Sequence, residues 1–190
     1  MRYLLLTAAS ALALSAVSVG PASHAQTGEV ASQTKEDINA QLSAFFEDYD
    51  DQELAHSPVS KAYRGIRDAD YGKWDDPSET AAMEQYERGQ AALAKMKTEF
   101  DKDQLSEAGQ LSYLLFEARA ERSRNAFPFR RNSYIFDQMN GAQSQIPAFM
   151  INIHRVANKA DAGAYVSRLF GAGPLIETLV AQSAERADDG

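Results

Sequence analysis

Residues 78–100, SETAAMEQYERGQAALAKMKTEF, carry the pattern that decides the fold class. Apolar side chains recur in this stretch at steps of three, four or seven residues: Met83, Tyr86, Leu93, Met96 and Phe100. Such steps place side chains on one side of an α-helix, because the helix completes a turn in about 3.6 residues. The stretch therefore predicts a helix over about 78–100 with one buried face.

Two further helices are predicted before this one. The first begins near Thr34 and has a buried face formed by Ile38, Leu42, Phe45 and Tyr49. The second is short: Ser57 is its cap, Pro58 occupies its first turn, and it ends near Gly65. Residues 66–77 form a loop, and its single Trp is predicted to hold that loop against the core rather than to contact a ligand.

The carboxyl-terminal half of the chain is also predicted to be helical. One helix runs from about Ser106 to Asn125, with an inward face of Leu111, Leu114, Leu115 and Ala118. Asp161 is predicted to cap another helix, which residues 171–174 interrupt with two Gly and a Pro. The segment after the break has an apolar face that is expected to lack a partner: Leu175, Ile176, Leu179 and Val180. No run alternates with period two, so the predicted fold class is all-α, an irregular multi-helix array.

The amino-terminal residues are typical of a secretory signal peptide. Arg2 supplies a positive start, residues 4–19 are apolar, and small residues end at Ala25, where a signal peptidase would cut. The apolar run is short for a membrane span; the alternative to cleavage is an uncleaved anchor. The predicted organisation has three parts: a signal peptide over 1–25, a flexible linker over 26–33 and a helical domain over 34–190. The predicted location is periplasmic or secreted.

Composition and charge exclude several classes of function. The formal net charge is −8 at pH 7, which disfavours nucleic acid and anionic membrane surfaces as partners. The chain has no Cys, so it has neither a disulfide nor a cysteine nucleophile. It also lacks a Gly-x-Ser-x-Gly elbow and a phosphate-binding glycine loop.

The histidines do not form a zinc-peptidase motif. That motif, His-Glu-x-x-His, uses two His one helical turn apart to bind the metal and a Glu to polarise water. The three His of this chain are followed neither by Glu nor, at the fourth position, by another ligand: His24, His56 and His154. We therefore predict no catalytic residue, no metal ligand and no cofactor in this chain.

Residues 134–154, YIFDQMNGAQSQIPAFMINIH, are crowded with side-chain amides and contain the candidate binding residues. The candidate substrate-cleft residues are Gln138, Asn140, Gly141, Gln143, Gln145 and His154. Two interpretations remain open for the amides: they line a groove that binds a peptide backbone, or they tie neighbouring helices together. His154 has the same two interpretations, a cleft residue or a hydrogen-bonding residue at a helix end. A short helix is predicted to begin around Pro147.

Three irregular blocks carry a resemblance to a known family: residues 57–67, residues 71–77 and residues 138–147. In these blocks the chain resembles the beginning of the bacterial family called "domain of unknown function 885", whose members are similar to helical zinc metallopeptidases. The resemblance implies an all-helical, zincin-like hydrolase acting on peptides, with its His-Glu-x-x-His motif downstream of this region.

The resemblance further implies that this chain is a truncated amino-terminal part of such a domain. It would cover one side of the cleft and be inactive alone, with zinc expected only in the full-length protein. The residues themselves leave a second interpretation open. The chain would then be a stand-alone periplasmic helical binding module for a peptide or a small polar ligand.

Overall fold

The computed structural model describes residues 34–188, so the predicted signal peptide and linker lie outside the described residues. The described residues form six α-helices: α1 (Lys35–Ala55), α2 (Pro58–Tyr63), α3 (Glu79–Glu99), α4 (Glu107–Ala126), α5 (Ala142–Asn152) and α6 (Lys159–Asp188). Short 3₁₀ turns precede and follow α4, at Lys102–Gln104 and Phe127–Phe129. No strand occurs between residues 34 and 188, so the all-α fold class is confirmed.

Hydroxyl caps fix the starts of the first four helices, close to the predicted positions. In each case the cap side chain accepts a hydrogen bond from a backbone N–H of the first turn: Thr34, Ser57, Ser78 and Ser106. At the end of α2, Gly65 takes a φ of 76°, a left-handed conformation that a side chain would disfavour. Helix α2 therefore ends where the sequence predicts.

The first hydrophobic cluster joins α1, α3 and α4. Its buried members are Ile38, Leu42, Phe45, Leu93, Met96, Phe100, Leu105, Tyr113 and Ala120. Phe45 lies at the centre and meets the Phe100 ring edge-to-face, with 5.8 Å between ring centroids. The predicted inner faces of α1 and α3 supply most of this cluster, although Met83 at the start of α3 is exposed.

The predicted inner face of α4 is wrong. Leu111, Leu114 and Leu115 are exposed, and the buried residues of the helix are Tyr113 and Ala120. Helix α4 has apolar residues on more than one side, so its own period does not select a face. The face is selected by α1 and α3: aromatic residues of α1 and the buried Leu93 and Met96 of α3 pack in the same cluster as Tyr113, with Phe116 against it.

The second cluster joins α2, the loop over 66–77, α5 and α6. Its buried residues are Ala62, Tyr71, Phe149 and Met150. Helix α5 begins at Ala142, five residues before the predicted start at Pro147. Pro147 is the sixth of the eleven residues of α5, so it removes an interior backbone hydrogen bond, yet α5 remains continuous.

The predicted interruption at residues 171–174 is also wrong, because α6 is continuous. Gly171 packs against a ring: a Cβ added there would lie 3.2 Å from Trp74 Cδ1. Pro174 is exposed, and the carbonyl it leaves without a backbone donor belongs to the exposed Phe170, where water can bind it. The cap of α6 is not Asp161 as predicted. Asn158 caps the helix instead, because its Oδ1 accepts the Asp161 N–H at 2.9 Å.

None of the helices formed by residues 34–188 is long and apolar enough to cross a bilayer.

Candidate functional site

The amides of residues 137–145 are used mainly within their own segment. The Asp137 carboxylate accepts the backbone N–H groups of Met139 at 2.7 Å and Asn140 at 2.5 Å. These two hydrogen bonds, the one from Asn140 first, hold the pKa of Asp137 below its ordinary value. The Gln143 amide donates to the Asp137 carbonyl, and Gln145 Nε2 donates to the Asn140 carbonyl at 3.1 Å. The segment is therefore a self-supporting turn that leads into α5.

The remaining predicted cleft residues of this segment are placed differently. Gly141 is buried at the start of α5, and a Cβ there would collide with the Asp137 backbone. Gln138 and Asn140 are exposed, and their side-chain amides make no hydrogen bond to residues 34–188. The amides thus do not tie neighbouring helices together, which was one of the two interpretations. The binding role of these residues stays a prediction.

His154 lies apart from the amides, just after α5 ends, and is only 4% exposed. Its ring stacks on Tyr71 with 4.3 Å between centroids. Arg168 Nη1 donates to His154 Nδ1 at 3.3 Å, since a guanidinium can only donate, so the ring proton is on Nε2. From Nε2 the ring donates to the Asp161 carbonyl at 3.3 Å. This geometry matches the structural interpretation of His154, in which it satisfies a backbone carbonyl.

The surroundings of His154 predict a loss of stability in mild acid. Burial lowers its pKa below the ordinary 6.5, and the positive charges of Arg168 and Arg67 add to the effect; the Asp161 carbonyl and carboxylate oppose it. The folded protein therefore binds fewer protons than the unfolded chain just below pH 6.5. Stability is fully present above that pH and falls as the pH decreases towards the lowered folded-state pKa.

Urea unfolding between about pH 7.5 and pH 5 measures this dependence above the range in which carboxylates dominate. We expect the unfolding free energy of the wild-type protein to fall across this window. His154→Gln, which keeps a donor and an acceptor, should remove the slope. An equally steep slope in the variant would show that another group is responsible.

Arg168 lies at the centre of a cluster with His154, Tyr71, Trp74 and Phe149, the arginine-centred cluster. Sequence analysis missed this residue. It is fully buried on α6 and has no carboxylate partner among residues 34–188. Its guanidinium donates to the Lys73 carbonyl at 2.6 Å and 2.9 Å and to the Pro58 carbonyl at 3.3 Å. Burial lowers its pKa. The signal in the sequence was an Arg on an otherwise apolar side of a helix, where long cationic side chains are seldom placed.

Three aromatic rings surround this guanidinium. Its carbon lies 4.7 Å from the centroid of Phe149, 5.3 Å from that of Trp74 and 5.7 Å from that of Tyr71. These distances allow cation–π attraction, which partly replaces the lost hydration. Trp74 Nε1 also donates to the Arg168 carbonyl at 2.7 Å. The prediction that Trp74 holds its loop against the core is confirmed.

Other contacts fasten the loop over 66–77 to the second half of the chain. Arg67 Nη1 donates to Asp161 Oδ2 at 2.7 Å. The Tyr71 hydroxyl donates to the Arg155 carbonyl at 2.9 Å and accepts its N–H at 2.8 Å. The first two blocks that carry the family resemblance thus lie against α5 and α6, beside the third.

The described residues do not fit a zinc ion. Between residues 34 and 188 there is no group of three or more His, Cys, Asp or Glu side chains placed to hold a metal. Both ring nitrogens of His154 are hydrogen-bonded to other groups, and His56 is exposed at the carboxyl-terminal cap of α1.

A small pocket opens beside the cluster, between α2, α5 and α6. Its volume is about 230 Å³. The apolar walls are formed by Val59, Tyr63, Trp74, Ile146, Phe149 and Leu175. Three polar side chains stand at its rim: Asp75, Asp76 and Gln145. Gln145 is the one predicted cleft residue that reaches a concave surface with aromatic walls.

A larger groove, of about 730 Å³, lies between α1, α2 and α4. Charged pairs occupy its edge. Arg64 makes two hydrogen bonds to Asp50, and Arg88 Nε donates to Glu53 at 2.9 Å. These charges are already paired, but Arg119 and Ser112 also line the groove and add polar groups to its surface.

The comparisons with known proteins return one family. A model described as "Bacterial protein of unknown function (DUF885)" matches residues 58–190, well over half of the chain. No curated protein and no solved structure matches the chain. The matched region contains both the arginine-centred cluster and the small pocket. The chain belongs to the bacterial family of unknown function DUF885.

Proposed function

We propose that this chain is the amino-terminal part of a secreted or periplasmic peptidase-like hydrolase that depends on zinc. Residues 34–188 would form a helical wall on the substrate side, and the zinc ligands would come from residues outside this range. The observation that carries the proposal is the outer face of α6. Such a wall needs an exposed apolar surface against which the remainder of the domain can pack. The outer face of α6 is such a surface.

Helix α6 is apolar on two sides. Its inner side contains the buried Arg168 and the half-buried Tyr165. Its outer side exposes five apolar residues at helical spacing: Val166, Leu169, Phe170, Ile176 and Val180. Phe170 is 78% exposed. Neighbouring apolar side chains exposed on one side of a helix typically mark a contact surface, which supports further structure over the outer side of α6.

The proposal is tested by reading the gene beyond the Gly190 codon and by assaying both products. We expect an open frame that encodes His-Glu-x-x-His, and a longer product that binds zinc and cleaves peptides in a chelator-sensitive way. The present chain alone should do neither. A stop codon with no such motif behind it would overturn the proposal and favour the stand-alone binding module. Stoichiometric zinc in the present chain would overturn the placement of the metal site.

The same face predicts the behaviour of the purified chain. Replacing Leu169 and Phe170 with Ser should raise solubility, because both side chains are exposed, while the unfolding free energy changes by only about 0.5 kcal/mol. Sedimentation measures the change in solubility, and urea unfolding measures the change in stability.

The matched control uses the half-buried leucines of the same helix. Leu175 and Leu179 were predicted to lack partners, but both lie on the inner side of α6. Leu175→Ser with Leu179→Ser should therefore lower stability instead. Unfolding of the Leu169 and Phe170 variant would show that this face is covered within the present chain.

A further inference from the structure

The small pocket combines an aromatic interior with an acidic rim. Phe149 forms its buried floor, and the ring centroids of Trp74 and Tyr63 lie 5.3 Å and 5.5 Å from that of Phe149. Tyr63 is largely exposed and stands at the mouth. At about 230 Å³, the pocket is smaller than the ~300–1,000 Å³ of drug-sized sites. It therefore suits a single ring or a short aliphatic group.

Neither rim carboxylate forms a salt bridge among residues 34–188, although Asp75 lies close enough to Arg168 for the two charges to attract each other. Asp75 is held in place by two donors, Ser57 Oγ at 2.7 Å and the Val59 N–H at 2.8 Å. Asp76 Oδ1 accepts the Ser78 N–H at 2.9 Å, which leaves its other oxygen available, and Asp76 is exposed.

The nearest buried cation does not neutralise the rim fully. Arg168 lies behind the Trp74 and Phe149 rings, and all its hydrogen bonds go to backbone carbonyls and to His154. One positive charge behind the wall faces two negative charges at the mouth. The site thus keeps an excess negative charge at the position where a ligand would enter.

Gln145 adds a neutral acceptor at the same rim. Its Nε2 is occupied by the Asn140 carbonyl at 3.1 Å, so its Oε1 remains free to accept a hydrogen bond. Together, Gln145 Oε1 and the available Asp76 oxygen offer acceptors and no donor. This chemistry selects a ligand with several N–H groups.

We propose that this pocket binds a small primary amine with an aromatic or aliphatic body. The ammonium group would donate to Asp76 and Gln145, and the body would pack against Trp74 and Phe149. The inference does not depend on whether the chain belongs to a hydrolase, because it rests on the pocket alone.

The sole tryptophan of the chain makes this pocket directly observable, since Trp74 forms one of its walls. Phenethylamine is titrated against the mature chain at neutral pH while Trp74 fluorescence is followed, with calorimetry as an independent measure. Phenethyl alcohol and phenylpropionate are the neutral and anionic counterparts of similar shape. We expect a saturable change with the amine, binding about tenfold weaker or worse with the alcohol, and none with the anion.

Two variants assign the binding to the rim. Asp76→Asn keeps the acceptor for the Ser78 N–H but removes the charge, and should weaken amine binding about fivefold or more. Asp103→Asn removes an exposed carboxylate in the 3₁₀ turn before α4 and should have no effect. Equal affinity for the amine and the alcohol, equal binding by the two variants, or no binding in either measurement would overturn the proposal.

Discussion

Replacing Arg168 with Met is expected to lower the free energy of unfolding by about 3–5 kcal/mol, because three buried acceptors lose their donor at once. The substitution leaves the carbonyls of Lys73 and Pro58 and the Nδ1 atom of His154 without their donor, in a place that water does not reach. Each buried acceptor left without a partner costs about 1–3 kcal/mol. Met fills a similar volume, so the change reports the hydrogen bonds more than a cavity.

A gain opposes this loss, because removing Arg168 also removes the cost of burying a charge that no carboxylate binds directly. We expect the lost hydrogen bonds to outweigh that gain, since four of them converge on one guanidinium. Urea unfolding compares Arg168→Met with Arg122→Met, which changes an exposed Arg on α4 and should have little effect. If Arg168→Met is as stable as the wild-type protein, dehydrating the guanidinium costs as much free energy as its hydrogen bonds contribute.

Replacing Gly72 with Ala is expected to destabilise the protein by about 1–3 kcal/mol, the usual cost of forcing an extra carbon into a packed site. A Cβ at this position would lie 3.1 Å from the Ala164 carbonyl oxygen and 3.2 Å from the Ala164 Cα. Those atoms belong to the backbone of α6, so they cannot turn aside as a flexible side chain could. The loop would have to withdraw from α6, and the contacts of Trp74 and Tyr71 would loosen with it.

A second glycine of the same contact region provides a control, because its replacement is expected to change the stability in the opposite direction. Gly163 is exposed within α6, and a Cβ added there meets nothing within 4 Å. Gly163→Ala should stabilise the protein by about 0.5–1 kcal/mol, because Ala loses less backbone freedom in a helix. Thermal or urea unfolding of both variants measures the contrast. Equal stability of Gly72→Ala and wild type would show that the loop and α6 can separate without cost.

Local signals predicted the starts of the first four helices well, because their physical causes lie within a few residues. Thr34 and Ser57 are recognisable as caps from the sequence, and each bonds to an N–H three residues later. The predictions failed where distant partners decide. Helix α4 offers apolar residues on several sides, and only α1 and α3 determine that Tyr113 is buried while Leu114 is exposed.

The candidate site was even less predictable. The amides of 137–145 were recognisable, but their hydrogen bonds to their own backbone depend on the turn geometry at Asp137. The arginine-centred cluster joins positions far apart along the chain, and no spacing within the sequence indicates such a contact. A fully buried Arg also opposes the general trend that cations remain exposed, and this trend outweighs the apolar neighbours of Arg168 along the helix.

The separation between the partners of Arg168 has a consequence for the order of folding. Its hydrogen bonds to Lys73 and Pro58 span 95 and 110 residues, so each requires a long chain segment to close. Closing long loops costs entropy that the neighbouring contact of α3 with α4 avoids. During synthesis, α1, α3 and α4 are complete well before α6 emerges. We therefore expect the loop bearing Trp74 to pack only after α6 has formed, so that the second cluster forms later than the first.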